Sequence, residues 1–301
     1  MEALETLLTT TLRMLPPILL AGLGGMLSSR VGLLNMGLEG MMLIGSFVAV
    51  VGSYLSGSSY IGLLAAMLVS GIIGLLFAVF NIKFKANNIV VGVAINMLAL
   101  GITKYLLRVF FGVSGAFSSP KIVGLPTVHI EALESIPLLR AFNDQSIMVY
   151  IAFIAVGIIY FVMYHTPAGL RMRATGPHAM AVTTAGVSVN RMRYTILAIS
   201  GCLCGLGGAH LSLGQLTMFT DNITNGRGFI AMAAAVFGNN TPVGTMLGAG
   251  LFGFTDAATM NAQMLGFPSQ LVQMIPYIIT ILTLILVALR IKRNKLKPNT
   301  K

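Results

Sequence analysis

The chain has 301 residues, of which 56% are hydrophobic and 9% charged, against about 25% charged in an ordinary soluble domain; its mean hydropathy is +0.88. A soluble fold is excluded. The net charge of +11 sits in short loops between apolar runs and in the tail RIKRNKLKPNTK, which fits membrane topology better than nucleic-acid binding.

In chain order, the start MEALETLL carries acids where a secretory signal has a basic region, so the first apolar run is expected to be retained. Apolar runs long enough to cross about 30 Å of hydrocarbon predict spans near 7–27, 34–55, 61–80, 88–110, 147–164, 194–214, 243–260 and 269–290. A shorter stretch, 226–238 (GRGFIAMAAAVFG), reads as a crossing or as a re-entrant segment. The expected fold class is all-α: a polytopic transmembrane helical bundle of about 8–10 spans, with interrupted or re-entrant helices, in one domain covering 1–301. A transmembrane β-barrel needs alternating strands of about 10 residues, which these runs are not.

Nine spans place the N-terminus outside and the C-terminus in the cytoplasm. Most of the 19 Lys and Arg then fall inside, including Arg30, Lys83, Lys85, Arg171, Arg173, Arg191, Arg193 and the tail, as the positive-inside rule requires. Two loops exceed simple turns. The outer one, about 111–146, is punctuated by proline and glycine and reads as a cap on the outer mouth. The inner one, about 165–193, contains HAMAVTTAG, an Ala-rich stretch between a Gly-Pro break and a glycine. Those are start and stop signals for a short helix, bracketed by arginines and suited to docking a cytoplasmic partner.

Charged and polar groups inside spans usually face a bundle interior or an aqueous path. Glu39 in GLEG and Arg227 in GRG lie between glycines that allow irregular backbone. The segments 35–55 and 224–240 share this pattern and run in opposite directions on this topology, which suggests an inverted repeat. Glu39 and Arg227 are therefore expected to approach one another, either as a pathway lining or as buried partners. Asn96 can bind a polar solute or hold two helices together. Asp256 reads as a water-reached carboxylate near a helix end, Arg13 as a snorkelling residue, and His210 as a satisfied core or rim histidine. Cys202 and Cys204 read as packing thiols. No His/Cys/acid cluster has metal-ligand spacing and no cofactor motif occurs. A phosphate-loop motif is also missing, so ATP chemistry would need another chain.

The segments VGLLNMGLEGMMLIGSFVAV, KANNIVVGVAINMLALGIT and GQLTMFTDNITNGRGFIAMAAAVFGNNTPVGTMLGAGLFGF resemble the permease subunits of the ribose/branched-chain-amino-acid class of ABC importers. Within it they are most similar to the second permease of nucleoside importers that use a basic-membrane-protein-type lipoprotein. The resemblance covers roughly residues 15–290. It implies a permease without its own ATPase site, in the cell membrane. The implied partners are an ATP-binding cassette subunit, a second non-identical permease, an extracellular substrate-binding lipoprotein and membrane lipids, with no nucleic acid. It places a coupling helix at Gly176–Gly186, with Gly176, His178, Ala179, Thr183 and Gly186 facing the ATPase. From the polar residues inside the spans, the substrate pathway is expected at Asn35, Glu39, Asn96 and Arg227. The chain departs from the family at Gly176-Pro177-His178, where relatives often carry an acid or polar residue after the glycine. The rival expectation is an ion-coupled secondary transporter with Glu39 or Asp256 as the ion site.

Overall fold

The computed structural model describes residues 2–129 and 140–264. Their helices are α1 (Glu2–Arg30), α2 (Leu38–Ser56), α3 (Ser59–Ile82), α4 (Asn88–Phe111), α5 (Ile147–His165), α6 (Pro167–Thr175), α7 (Ala179–Thr184), α8 (Val189–Ala209), α9 (Arg227–Phe237) and α10 (Pro242–Met264). A π-helical turn, His210–Gln215, continues α8. A 3-10 turn, Arg140–Phe142, and two antiparallel strand pairs are also present: β1 (Ala116–Phe117) with β4 (Phe219–Thr220), and β2 (Thr127–Val128) with β3 (Gln145–Ser146).

Among the described residues six helices, α1 to α5 and α8, are long and apolar enough to cross a membrane. The expected spans through 260 fall on these helices and α10; the span 269–290 and the basic tail lie outside the described residues. Two boundaries differ from the sequence reading. Residues 34–37 are not helical, so the second span starts at Leu38. The inner loop also holds α6, where Thr166 accepts from the Gly169 N–H at 3.2 Å and Pro167 occupies the first turn, a start signal that the loop reading passed over. The Ala-rich stretch forms α7 as expected.

The core is built from α1, α2 and α8, whose most apolar windows are 61%, 72% and 78% buried, against 33%, 28% and 28% for α3, α4 and α5. Lipid tails offer no hydrophobic drive between helices, so close packing depends on small residues. A Cβ on Gly201 or Gly205 would strike the Ser70 or Ala66 carbonyl of α3, and one on Gly208 would strike the Met42 carbonyl of α2. The run GCLCGLGGA is thus a contact surface for backbone, with Cys202 and Cys204 beside it as free thiols.

Within α1, Pro16 and Pro17 remove N–H donors, and a proline at i orphans the carbonyl at i−4. The Arg13 carbonyl that Pro17 leaves free accepts from His210 Nε2 at 3.2 Å and Gln215 Nε2 at 2.8 Å. His210 is therefore a buried core histidine tying α8 to α1, and the Arg13 side chain stays exposed.

The bundle has two distinct sides. On one, Arg30 meets the α9–α10 turn, Arg193 Nε donates to the Val31 carbonyl at 3.1 Å, and Gly32 lies against Gly176. On the other, Ser53 Oγ bonds both the carbonyl and the N–H of Val123 at 2.9 and 3.0 Å, and β1 pairs with β4. The described part of loop 111–146 therefore covers the end of the bundle opposite the arginines.

Candidate functional site

The polar residues singled out inside the spans converge on two breaks in helical structure, residues 31–37 before α2 and 221–226 before α9. In hydrocarbon every backbone polar group must find an internal partner, so irregular backbone survives there only where protein surrounds and satisfies it. Asn35, fully buried, accepts from the Gly37 N–H at 3.0 Å and donates to Ser200 Oγ of α8 at 3.2 Å. Asn96 of α4 accepts from the Gly40 N–H at 2.8 Å and donates to the Met36 carbonyl at 2.9 Å. It therefore holds two helices together, and its side chain supplies bonds that the missing helical turn cannot.

Glu39 occupies the first turn of α2 and is 8% exposed. Its Oε1 accepts from the Gly226 N–H at 2.8 Å and its Oε2 from the Gly228 N–H at 2.6 Å. One carboxylate thus sits at the N-termini of both α2 and α9, where unpaired N–H groups and the helix dipoles favour negative charge. Gly226 has φ +84°, a backbone state that side chains resist. A Cβ on Gly228 would lie 2.5 Å from the Glu39 nitrogen. These two glycines are what allow the helix start to close over the acid.

The expected approach of Glu39 to Arg227 is met by the backbone, and α2 and α9 run from this shared point to opposite sides. The charges do not pair. Arg227 Nε lies 3.7 Å from Asp256 Oδ2 of α10, and its Nη1 donates to the Ile223 carbonyl at 3.4 Å. Asp256 therefore differs from the expected solvent-reached carboxylate. It lies well inside α10, its side chain 17% exposed, as the ion partner of Arg227. With 11 residues, α9 spans about 16 Å, half of a membrane's hydrocarbon. Its far end turns beside Arg30, whose Nε and Nη2 donate to the Asn240 and Asn239 carbonyls at 2.5 and 3.3 Å. From β4 to Arg30 the chain passes from one side of the bundle to the other by an irregular turn and a half-helix.

Of the other residues singled out, Gly176 ends α6, His178 precedes α7, Ala179 and Thr183 lie on it, and Gly186 follows with φ +79°. Only Val182 of α7 is buried, and Met180 is 86% exposed. A short helix on the arginine side thus rests on the bundle through Val182 and turns most of its surface outward.

Six long apolar helices with a half-helix capped by a buried acid define a multi-pass membrane protein, and the comparisons say of which kind. The family model of the branched-chain amino acid transport system / permease component matches residues 7–284, and the chain belongs to that family. It is 36% identical over 295 residues to the guanosine ABC transporter permease protein NupQ of Bacillus subtilis, covering 94% of this chain and 92% of the relative. The nucleoside ABC transporter permease protein NupC of Lactococcus lactis is 33% identical, with 90% and 88% covered. The putative glucose ABC transporter permease protein TsgC13 of Haloferax volcanii is 33% identical, with 86% and 78% covered. No solved structure matches.

Proposed function

We propose that this chain is one of two non-identical permease subunits of an ATP-driven nucleoside importer. The observation that carries the reading is full-length similarity to permeases of guanosine and nucleoside transporters. The exposed α7, at the position where the sequence resemblance expects a coupling helix, supports it. In this reading the arginine side is cytoplasmic, an ATPase docks on Gly176, His178, Ala179, Thr183 and Gly186, and a substrate-binding lipoprotein delivers solute to the opposite side. ATP-driven closure of the ATPase moves α7 and switches the path between outward and inward access, without covalent chemistry in this chain.

The pathway is proposed to pass the meeting point of α2, α4 and α9. Asn96 and Arg227 are the partly exposed polar groups there. Asn35 and Glu39, behind them, hold the broken helix starts in place. Such a lining binds solute weakly, which release requires. An ion-coupled transporter fits less well, because Glu39 is already ligated by two N–H groups and Asp256 by a guanidinium.

Proteoliposomes holding the full complex, supplied with the lipoprotein, should take up labelled guanosine only when ATP is enclosed with the ATPase. Uptake driven by an imposed proton or sodium gradient without ATP, or uptake of glucose in place of nucleosides, would overturn the proposal.

A further inference from the structure

Beside α7 lies a cavity of about 320 Å³ between the end of α1, the α6–α7 turn and the α9–α10 turn, lined by Ser29, Arg30, Arg173, Gly176, Pro177 and Asn240 among others. Three polar atoms at this place are buried without a hydrogen-bond partner: Ser29 Oγ, Arg173 Nε and Asn240 Oδ1. These atoms have almost no accessible surface and so sit behind the cavity wall; what the cavity presents is the positive charge of Arg30 and Arg173. Arg30 contributes charge, although its own donors are turned to the Asn239 and Asn240 carbonyls. The Arg173 guanidinium stacks 5.0 Å above Tyr164, which fixes it without neutralising it. No Asp or Glu lines the cavity.

We infer that this cavity is a socket for an acidic side chain of the ATPase subunit, seated next to the coupling helix. The inference rests on the docking proposed above. A carboxylate entering the cavity pairs with the Arg173 guanidinium, whose planar fork suits it in both shape and charge. A lipid would need a bed for its acyl chains, and no Leu, Ile, Val, Met or aromatic side chain lines the cavity. The socket touches both the α6–α7 turn and the turn that ends α9. An acid held there links the docking loop to the half-helix whose other end is fixed by Glu39, so movement of the ATPase reaches α9 as well as α7.

The test uses the assembled complex of this chain, its second permease and its ATPase. R173K puts a primary amine in the socket. A water-soluble carbodiimide activates carboxyl groups; attack by the amine forms an amide and releases the urea, so only a carboxylate in contact is captured. The expected product is a peptide containing position 173 joined to an Asp or Glu of the ATPase. In parallel, Arg173→Gln should weaken ATPase retention about tenfold or more and flatten its dependence on salt, with the second permease still co-purifying as evidence of folding. Capture only within this chain or on the second permease overturns the socket, as does no capture. Loss of a bound anionic lipid from Arg173→Gln in native mass spectrometry, with ATPase retention unchanged, overturns it in favour of a headgroup. Ala181→Cys on α7 separates the two readings: if it crosslinks to the ATPase while position 173 does not, the socket alone fails; if neither does, the docking fails with it.

Discussion

The two ends of α9 are held by opposite charges in very different surroundings. Its N-terminus lies inside the protein, where a nearly buried carboxylate takes two N–H groups at 2.6 and 2.8 Å. Its C-terminus lies at the arginine side, where Arg30 donates to two carbonyls beside an open cavity. Both arrangements complement the helix dipole. Water can replace a lost partner more readily at the C-terminal end, where Asn239 is exposed, than at the Glu39 carboxylate, which is nearly buried. The half-helix is therefore anchored firmly at depth and adjustably at its surface end, which suits the proposed coupling of α9 to a docked ATPase.

The largest break in this comparison should come from Gly228→Ala, which brings a Cβ to 2.5 Å from the Glu39 nitrogen and against its Cα. Backbone has no room to yield there, so folded protein in detergent should fall to traces by size-exclusion chromatography. Next is Glu39→Gln, which turns an amide donor toward one of two N–H groups. Hydrogen bonds to charged groups contribute about 1.5–3 kcal/mol each, so thermal unfolding should show a loss of about 2–4 kcal/mol. Combined with Arg227→Gln the losses should add, because the two charges have separate partners. Arg227→Gln with Asp256→Asn should instead deviate from additivity by at least about 0.5 kcal/mol. Coupling between Glu39 and Arg227 of that size would contradict the arrangement. The smallest effect belongs to Arg30→Gln, about 0.5–1 kcal/mol, and near-equality with Glu39→Gln would erase the contrast between the ends.

How far the sequence foretold this depends on which atoms do the bonding. Spans were legible because apolar runs and breakers are residue properties, and α7 because Gly-Pro and Gly186 bracket it. That Glu39 and Arg227 approach was legible from glycines on either side of each. Their partners were not, since two of those partners are backbone N–H groups, which every sequence contains. Asp256 was misplaced for a related reason: its spacing from Arg227 becomes contact only when α10 folds back along α9. The non-helical stretch at 34–37 was hidden because the bonds that sustain it come from Asn96, about 60 residues along the chain. Thr166-Pro167 is a start signal for α6, but the short polar run PAGLRMRAT behind it has no apolar periodicity to reinforce the signal.

The cap on α9 also has a consequence for biosynthesis. Glu39 and the Gly226 that ligates it are 187 residues apart, and at about 5–20 residues per second the ribosome needs roughly 10–40 s to make the second after the first. For that interval α2 stands beside or in the bilayer with a carboxylate that has neither of its final donors. The nascent chain must keep that acid in contact with water or the insertion machinery until α9 emerges, so α2 reaches its native depth late, drawn into place by a segment made near the end of synthesis.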